Sequence, residues 1–370
     1  MATDKHTAST APKRRKKGKQ ALDRKLLIGG IVAAVVLLAL FAKVWTWLSD
    51  NRLPNFRKES VLFVRPDTGA DEVYATLINE AGVKRPYSLD RAFKSKKVAD
   101  NLEPGRYLIK PGYTSVYVAR MLNNGWQTPA KLTLSGTLRR KAELATKISR
   151  QLMIDSADVI KALNDRAMLS AYGFTPDNAF SLFIPDTYEM YWTSTMKDVL
   201  DKQKEAYDAF WTADRIAKAK AQGLTPKEAS ILASIVKGET NYEPEMPKIA
   251  GVYLNRLHKG MKLQADPTVA YLLDYKVNRV LFKHLQIESP YNTYKYEGLP
   301  PGPIAVPTKA CLEAVLNPQG DYLFFCASSE MDGTHKFAKD LSGHMKNARA
   351  FQSELNKRGG ARKAAGKNSQ

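Results

Sequence analysis

Cysteine is nearly absent from this chain: two in 370 residues, Cys311 and Cys326. Two cysteines make no disulfide framework, so the fold must rest on its apolar core. In an oxidising compartment they could pair. Equally, Cys326 lies in Tyr322-Leu-Phe-Phe-Cys-Ala327, which reads as a buried strand where a free thiol is at home. Histidine is scarce too, and His258, His284, His335 and His344 are scattered. There is no His-Glu-x-x-His and no Cys-x-x-Cys, so no metal site and no cofactor are expected. No internal period marks a solenoid. Acidic residues are in deficit, 37 against 57 Lys and Arg, for a net charge of +20. The first 50 residues hold +7 of it and the last 20 hold +4, leaving +9 for the body. Charge runs at chain ends are usually solvated, and a diffuse positive field suits an anionic polymer or a membrane surface.

Long hydrophobic runs are also missing, with one exception. Residues 26–42 carry no charge, and Val44 to Leu48 extend the run beyond Lys43. The resulting segment, 26–48, has the ~20 residues that span a bilayer. Trp45 and Trp47 suit the far interface. Lys13, Arg14, Arg15, Lys16, Lys17, Lys19, Arg24 and Lys25 precede the run, so the positive-inside rule keeps residues 1–25 in the cytoplasm as a basic tail. Phe41-Ala-Lys-Val-Trp45 offers no cleavage site of small residues, which favours a signal anchor over a removed signal peptide. The expected placement is a single-pass protein of the plasma (inner) membrane with its body outside. An exported body has no reason to meet nucleic acid, and none is expected as a partner.

Asn51 to Ser60 reads as a linker. Val61 to Val64 is a strand, Asp71 to Ala81 a helix stopped by Gly82, Glu103 to Ile109 a turn into a strand, and Ser115 to Asn123 a helix closed by Asn124-Gly125. Such strand–helix units resemble LysM-like modules, which bind glycan chains, and 55–127 is taken as one. A larger mixed α/β domain is assigned to 130–350. It starts with a strand at Ala130–Leu134, helices at Arg139–Leu152 and Ser156–Leu163, an extended turn at Phe183–Tyr188 and a long helix from Met196 to Lys220. Strands and helices without strict alternation predict an α+β fold. Residues 351–370 are predicted to be a flexible basic tail.

The most informative stretch ends on Glu239. Thr225 is a natural N-cap, Pro226 occupies the first helical position and Glu228 completes a capping box. Helical spacing stacks Leu232, Ile235 and Val236 beneath Glu239. Apolar neighbours and the negative end of the helix dipole both push a carboxyl's pKa up, as a general acid near neutral pH requires. A helix from Pro247 to His258 follows, with Ile249, Val252, Tyr253 and Leu257 inward, and Gly260 stops it. Three further segments look unlike ordinary core. Gly260 to Tyr271 puts Gln264, Asp266 and Thr268 in one loop, and Ser289-Pro-Tyr291-Asn292-Thr293-Tyr294 alternates aromatic and hydrogen-bonding groups as a sugar subsite would. Gly298-Leu-Pro-Pro-Gly-Pro-Ile304 is a rigid strap.

Taken jointly, Ala233–Thr240, Asn255-Arg256-Leu257, Leu263–Val269, Ser289–Tyr294 and Gly298–Ile304 closely resemble the endolytic murein transglycosylases, proposed terminases of nascent peptidoglycan. Phe183-Ile-Pro-Asp186-Thr-Tyr188, Tyr322-Leu-Phe-Phe and Gly333-Thr-His335 with Phe337 fit as well. The resemblance covers about residues 55–350 together with the anchor topology. The chain departs from it at Lys237-Gly238, where an acidic residue and a lysine are expected before the glutamate. The resemblance implies a lytic enzyme that cuts the bond between N-acetylmuramic acid and N-acetylglucosamine and leaves 1,6-anhydro ends. Glu239 would be first the acid and then the base. Gln264, Asp266, Tyr291, Asn292, Thr293, Tyr294, Asp186 and Tyr188 would hold the sugar. Peptidoglycan strands are the expected substrate, with peptidoglycan synthases as candidate partners. Three other readings stay open: a hydrolase with Asp266 as second carboxylate, a non-catalytic wall-binding scaffold, and an acyl-enzyme built on Ser234-Ile-Val-Lys237, a Ser-x-x-Lys pair lacking any Lys-Thr-Gly.

Overall fold

The computed structural model describes residues 16–367, with side-chain surroundings from 24 to 358. The chain divides between Thr128 and Pro129 into two compact units. The elements of both are α-helices and short two-stranded antiparallel sheets, a mixed α/β composition.

The first unit begins with α1 (Lys16–Asn51), a single 36-residue helix. Its Arg24–Asn51 stretch has a mean hydropathy of 2.6 and is the one helix among the described residues long and apolar enough to cross a membrane. Predicted residues 1–15 of the basic tail lie outside the described residues. Then β1 (Ser60–Val64) runs to a turn and α2 (Ala70–Thr76), which continues through one π turn to Gly82 at φ 66°. Next come α3 (Pro86–Ser95), α4 (Val98–Asn101), β2 (Gly105–Ile109) and α5 (Ser115–Asn123). β1 and β2 pair antiparallel, Ser60 opposite Ile109 and Val64 opposite Gly105. Period-two alternation buries Leu62 and Val64 and leaves Phe63 exposed. Val73, Leu89, Tyr107 and Val118 close the core over them.

The predicted linker is not a linker. Asn55 and Phe56 are both fully buried. The Asn55 amide donates to the Arg85 carbonyl (3.1 Å) and to Ser115 Oγ (2.8 Å), while its Oδ1 accepts from the Arg85 N–H (2.8 Å). Polar and basic composition suggested free chain, but the unit needs this asparagine to satisfy backbone groups that its fold buries.

The second unit opens with β3 (Ala130–Thr133), α6 (Lys141–Ser149), α7 (Ser156–Ala162) and α8 (Arg166–Ser170), then β4 (Thr187–Met190). β3 and β4 pair antiparallel, so the end of the predicted extended turn is a strand. The predicted long helix is two: α9 (Met196–Phe210) and α10 (Ala213–Ala221). Trp211 leaves helical geometry at ψ 67°, and Thr212 caps the new helix by accepting from the Arg215 N–H. Then follow α11 (Pro226–Glu239), α12 (Met246–His258), α13 (Asp266–Leu272) and α14 (Lys309–Leu316). The hairpin of β5 (Phe324–Ala327) and β6 (His335–Ala338) precedes α15 (Leu341–Lys367). The helix carries on past Phe351, where a flexible tail was predicted, to Lys367. Residues 368–370 lie outside the described residues.

α11 is the axis of this unit. Ala229 to Val236 are all buried, including Ser230 and Ser234. A helix buried on every face belongs in the middle of a bundle, and α12, α13 and α14 surround it. The strap joins the core as well: Gly302 to Val306 are buried. The Ile304 N–H donates to Ser234 Oγ (3.0 Å), and a Cβ at Gly302 would lie 1.9 Å from the Asp177 carbonyl oxygen. Cys311 is buried in α14 and Cys326 half-buried in β5; both are free thiols. Each face of the small β5–β6 hairpin is covered only in part, Phe325 by Tyr253 and Phe324 by His344, so its strand is less buried than the apolar run implied.

Replacing Asn55 by Ala strands the Arg85 N–H, whereas the Ser115 hydroxyl keeps Ser88 and the Arg85 carbonyl keeps the Ser88 and Leu89 N–H groups. The full chain in detergent should lose about 1–3 kcal/mol of unfolding free energy. Chemical denaturation checks this, and an unchanged midpoint would mean that water takes the amide's place.

Candidate active site

Glu239 is the last residue of α11. The capping box forms as predicted: Thr225 Oγ1 accepts from the Glu228 N–H (3.3 Å) and the Glu228 carboxylate accepts from the Thr225 N–H (2.8 Å). That box fixes the start of the helix, and about two turns of buried residues, Ala229 to Val236, carry its end to a cleft of about 700 Å³. Lys237, Glu239 and Tyr242 line one side of it, Asp332 and Thr334 the turn between β5 and β6, and Arg139 the rim.

The carboxyl of Glu239 is densely surrounded yet reachable from the cleft. The Tyr253 hydroxyl on α12 donates to its Oε1. Burial pushes the Glu239 carboxyl up to about 7; the Tyr253 hydrogen bond opposes this, the charge of Asp266 adds to it and that of Arg256 opposes it. Burial comes first, as the apolar run implied. Tyr253 is itself buried, and burial together with the adjacent carboxylate pushes its hydroxyl well above the usual phenol range. It therefore stays a donor at neutral pH.

Arg256, one turn further along α12, is 8% exposed. Its Nε donates to the Leu323 carbonyl (2.7 Å) and its Nη1 to the Leu263 carbonyl (2.7 Å), so it ties the β5 hairpin and the loop before α13 to α12. Burial lowers its pKa, and no carboxylate bonds to it among the described residues. Neighbouring Asn255 holds the Gly320 and Tyr322 carbonyls (3.2 and 2.9 Å).

The loop before α13 and the loop at 289–294 are stitched together. The Gln264 N–H donates to the Thr293 carbonyl (3.0 Å), the Ala265 N–H to Thr293 Oγ1 (3.0 Å), and the hydroxyls of Thr268 and Thr293 lie 2.9 Å apart. Asn292 is fully buried; its amide donates to the Leu285 and Ile287 carbonyls (3.0 and 2.8 Å) and its Oδ1 accepts from the Tyr294 N–H (3.1 Å). Both residues thus have their polar atoms engaged inside the loops. What the stitching presents outward is Gln264, Asp266 and Tyr294. Gln264 is exposed and sits at φ 52°, a left-handed conformation that costs a non-glycine residue about 1–3 kcal/mol. The Tyr294 hydroxyl donates to Asp266 Oδ1 (2.6 Å), and the charges of Asp266 and Glu239 both hold the Tyr294 phenol up after burial has done so first.

Gly238 explains how α13 comes so close. A Cβ there would lie 2.5 Å from Pro267 Cβ, so the glycine lets the start of α13 seat against the end of α11. The departure at Lys237-Gly238 thus has a packing reason. Lys237 donates to Asn241 Oδ1 (2.6 Å), and both line the cleft. Ser234 is fully buried, donating to the Ile231 carbonyl (2.6 Å) and accepting from Ile304, which leaves no room for the acyl-enzyme reading.

The remaining predicted residues lie apart from this cluster. Tyr291 packs on Tyr271, ring centroids 4.8 Å apart. Asp186 is exposed and paired with Lys309, which holds its carboxyl below the usual range. Tyr188 is buried in β4, its hydroxyl donating to the Ile184 carbonyl. None of Gln264, Asp266, Tyr294, Asp186 and Tyr188 lines the cleft itself; Asp266 and Tyr294 are tied to Glu239 by charge, and Asp186 and Tyr188 are not. Two residues escaped the sequence reading as site groups. Tyr253 was placed in the core, and the apolar spacing of α12 gave no other signal. Arg139 is half-buried, its guanidinium 4.7 Å from the Tyr275 ring centroid, and nothing in its neighbourhood of the sequence marks it.

Comparison with known proteins bears on this arrangement. Residues 62–350 match the YceG-like family model. An endolytic murein transglycosylase of Bacillus subtilis is 44% identical over 128 residues, 34% of this chain and 35% of that protein. One of Streptococcus pneumoniae is 24% identical over 365 residues, 88% of this chain and 66% of that protein. The chain thus spans less than two thirds of the length of these relatives. The crystal structure of a YceG-like protein from Listeria monocytogenes superposes with a TM-score of 0.52 at 26% identity, covering 78% of this chain and 98% of that one. A family match that runs from β1 into α15, and so takes in the whole Glu239 cluster, means that the chain belongs to the YceG-like family.

Proposed function

We propose that this protein is an endolytic murein transglycosylase that cuts the bond from N-acetylmuramic acid to N-acetylglucosamine within peptidoglycan strands. The observation that carries the reading is one carboxyl, Glu239, held protonated to about pH 7 by burial and still open to a cleft. A residue with its pKa near the working pH can give a proton and take one back. Glu239 protonates the bridging oxygen as the muramoyl C1–O bond breaks. The C1 cation-like state is then trapped by the sugar's own 6-hydroxyl, whose proton returns to the Glu239 carboxylate. The bond from O6 to C1 closes a 1,6-anhydro ring, no water is consumed, and the enzyme ends in its starting protonation state.

Tyr253 steadies the carboxylate between the two proton transfers. Gln264, Asp266 and Tyr294 contact sugar, whereas Tyr291, Asn292, Thr293, Asp186 and Tyr188 shape the loops and sheet that support them. Arg139, at the rim, faces the carboxylates of the stem peptide. α1 anchors the chain in the inner membrane with its N-terminus in the cytoplasm, and the first unit is a LysM-like glycan-binding module. The protein ends nascent strands beside a synthase. A two-carboxylate hydrolase is the second reading, because the charge of Asp266 acts directly on Glu239.

Uncrosslinked glycan strands incubated with the protein and analysed by mass spectrometry should yield 1,6-anhydromuramic ends. Glu239→Gln should slow their formation by ~10²–10⁴-fold. Reducing ends one water heavier would establish the hydrolase instead, full activity in Glu239→Gln would take Glu239 out of the chemistry, and no cleavage by either protein would favour the scaffold.

The activity should fall as pH rises through about 7, where Glu239 loses its proton. Tyr253→Phe removes the hydrogen bond that favours the carboxylate, so the alkaline limb of kcat/KM should move to higher pH. A limb that stays in place would assign it to another group.

Gly238→Ala forces Pro267 and with it Asp266 away from Glu239. A displacement of this kind should lower kcat by up to ~10²-fold with the fold intact by circular dichroism. Unchanged kcat would show that the close seating of α13 is dispensable.

A further inference from the structure

The last turn of α1 belongs to the first unit's core and not to a tether. Ser49 is 3% exposed, its carbonyl accepts from Ser88 Oγ (3.4 Å), and Ser88 Oγ lies 2.8 Å from Ser115 Oγ. Asp50 takes a two-pronged bond from Arg91, at 3.0 Å from Nε and 2.7 Å from Nη2. Arg85 donates to the carbonyls of Leu53 and Pro54 (2.9 and 3.1 Å), and Asn55 follows with its three buried bonds. No free chain lies between Leu48, where the apolar run ends, and Phe56 in the core.

This clamp fixes which end of the unit meets the end of the apolar helix. Ser88 and Ser115 stand at the starts of α3 and α5, so both helices lead away from α1. They finish at Ser95 and Asn123, where the Asn123 amide holds the Lys96 carbonyl and α4 packs alongside. The unit therefore has a near end and a far end. The near end is rimmed by Arg52, whose guanidinium lies 5.9 Å from the Trp47 ring centroid, and by exposed Lys84, Tyr87 and Lys110. Tyr87 is 82% exposed, the most open tyrosine among the large exposed hydrophobics. Two carboxylates stand at this end: Asp50 is already paired with Arg91, and exposed Glu59 precedes Ser60, which pairs with Ile109 beside Lys110, leaving Arg52 and Lys84 as the cations away from it. Aromatic rings beside lysine and arginine next to an apolar span are the composition of a membrane interface.

Resting on the reading that α1 spans the membrane, we propose that the near rim of the first unit, Arg52, Lys84, Tyr87 and Lys110, lies in the headgroup layer and binds anionic phospholipid. The cations meet lipid phosphates, and the Tyr87 ring enters the boundary between headgroups and acyl chains. The clamp then holds the unit at one height and tilt above the bilayer, where a flexible tether would let it roam.

Nitroxide labels on the full chain test this, with Cys326→Ser removing the accessible thiol. Single cysteines at Val36→Cys, Lys84→Cys and Asp100→Cys sample the span, the near rim and the far end. The protein is placed in nanodiscs of phosphatidylcholine with a minority of phosphatidylglycerol, and collision with oxygen is compared with collision with a water-soluble nickel chelate. The expected result is an acyl-core signature at residue 36 and several-fold less nickel collision at residue 84 than at residue 100. Asp50→Ala, which opens the clamp, should bring residue 84 towards the value at residue 100. Equal nickel exposure at 84 and 100, with residue 36 in the acyl core, overturns the proposal and leaves the anchor standing. Nickel exposure at residue 36 overturns the anchor reading itself. Protection of residue 84 that needs added glycan strands, and not lipid, would assign the rim to glycan and overturn the proposal.

Discussion

Everything in the second unit depends on burying α11 on all sides. A helix whose residues from Ala229 to Val236 see no solvent must end somewhere, and its end delivers Glu239 to the cleft with apolar packing behind it. Desolvation disfavours the ionised carboxyl. The Tyr253 hydroxyl limits that effect, because it stabilises the carboxylate once it forms. The opposition of the two is what places the group near neutrality. Stronger burial would lock the proton on, and a second strong donor would release it.

The same arrangement has a thermodynamic consequence. Glu239's pKa is raised on folding, so the folded chain binds this proton more tightly than the unfolded chain does. Stability from this source is fully present below the unfolded value of ~4.3 and is lost as pH rises through about 7. The protein carries its catalytic candidate as a strain on the folded state at alkaline pH. The surrounding loops are held by bonds that need no carboxylate: Arg256 to carbonyls, and Thr293 and Asn292 to backbone groups. Arg256 is buried without a carboxylate partner, so its positive charge remains available to the site.

The Glu239 helix was legible in the sequence because its signals are local: a cap, a proline at the first position and an unbroken apolar run. β1, β2 and α5 were legible for the same reason. What escaped depends on contacts between distant residues. Tyr253 has the spacing of a core residue, and only the approach of α12 to α11 makes it a donor to Glu239. β4 becomes a strand because β3 lies beside it, 54 residues away at Thr133 and Thr187. The α9–α10 break follows from Trp211 turning inward, which helical periodicity does not register. Asn55 and Asn292 show the commonest confusion: a polar side chain facing buried carbonyls looks the same in sequence as one facing water or sugar.

The central claim, that one buried carboxyl is poised to give and retake a proton, is most directly tested by titrating Glu239 itself. Carbon-13 NMR of glutamate carboxyls in the intact protein, with Glu239→Gln to assign the resonance, reads the group without substrate. The account requires a midpoint of about 7. A midpoint in the ordinary glutamate range, ~4.3, would contradict it and leave the cleft without its acid.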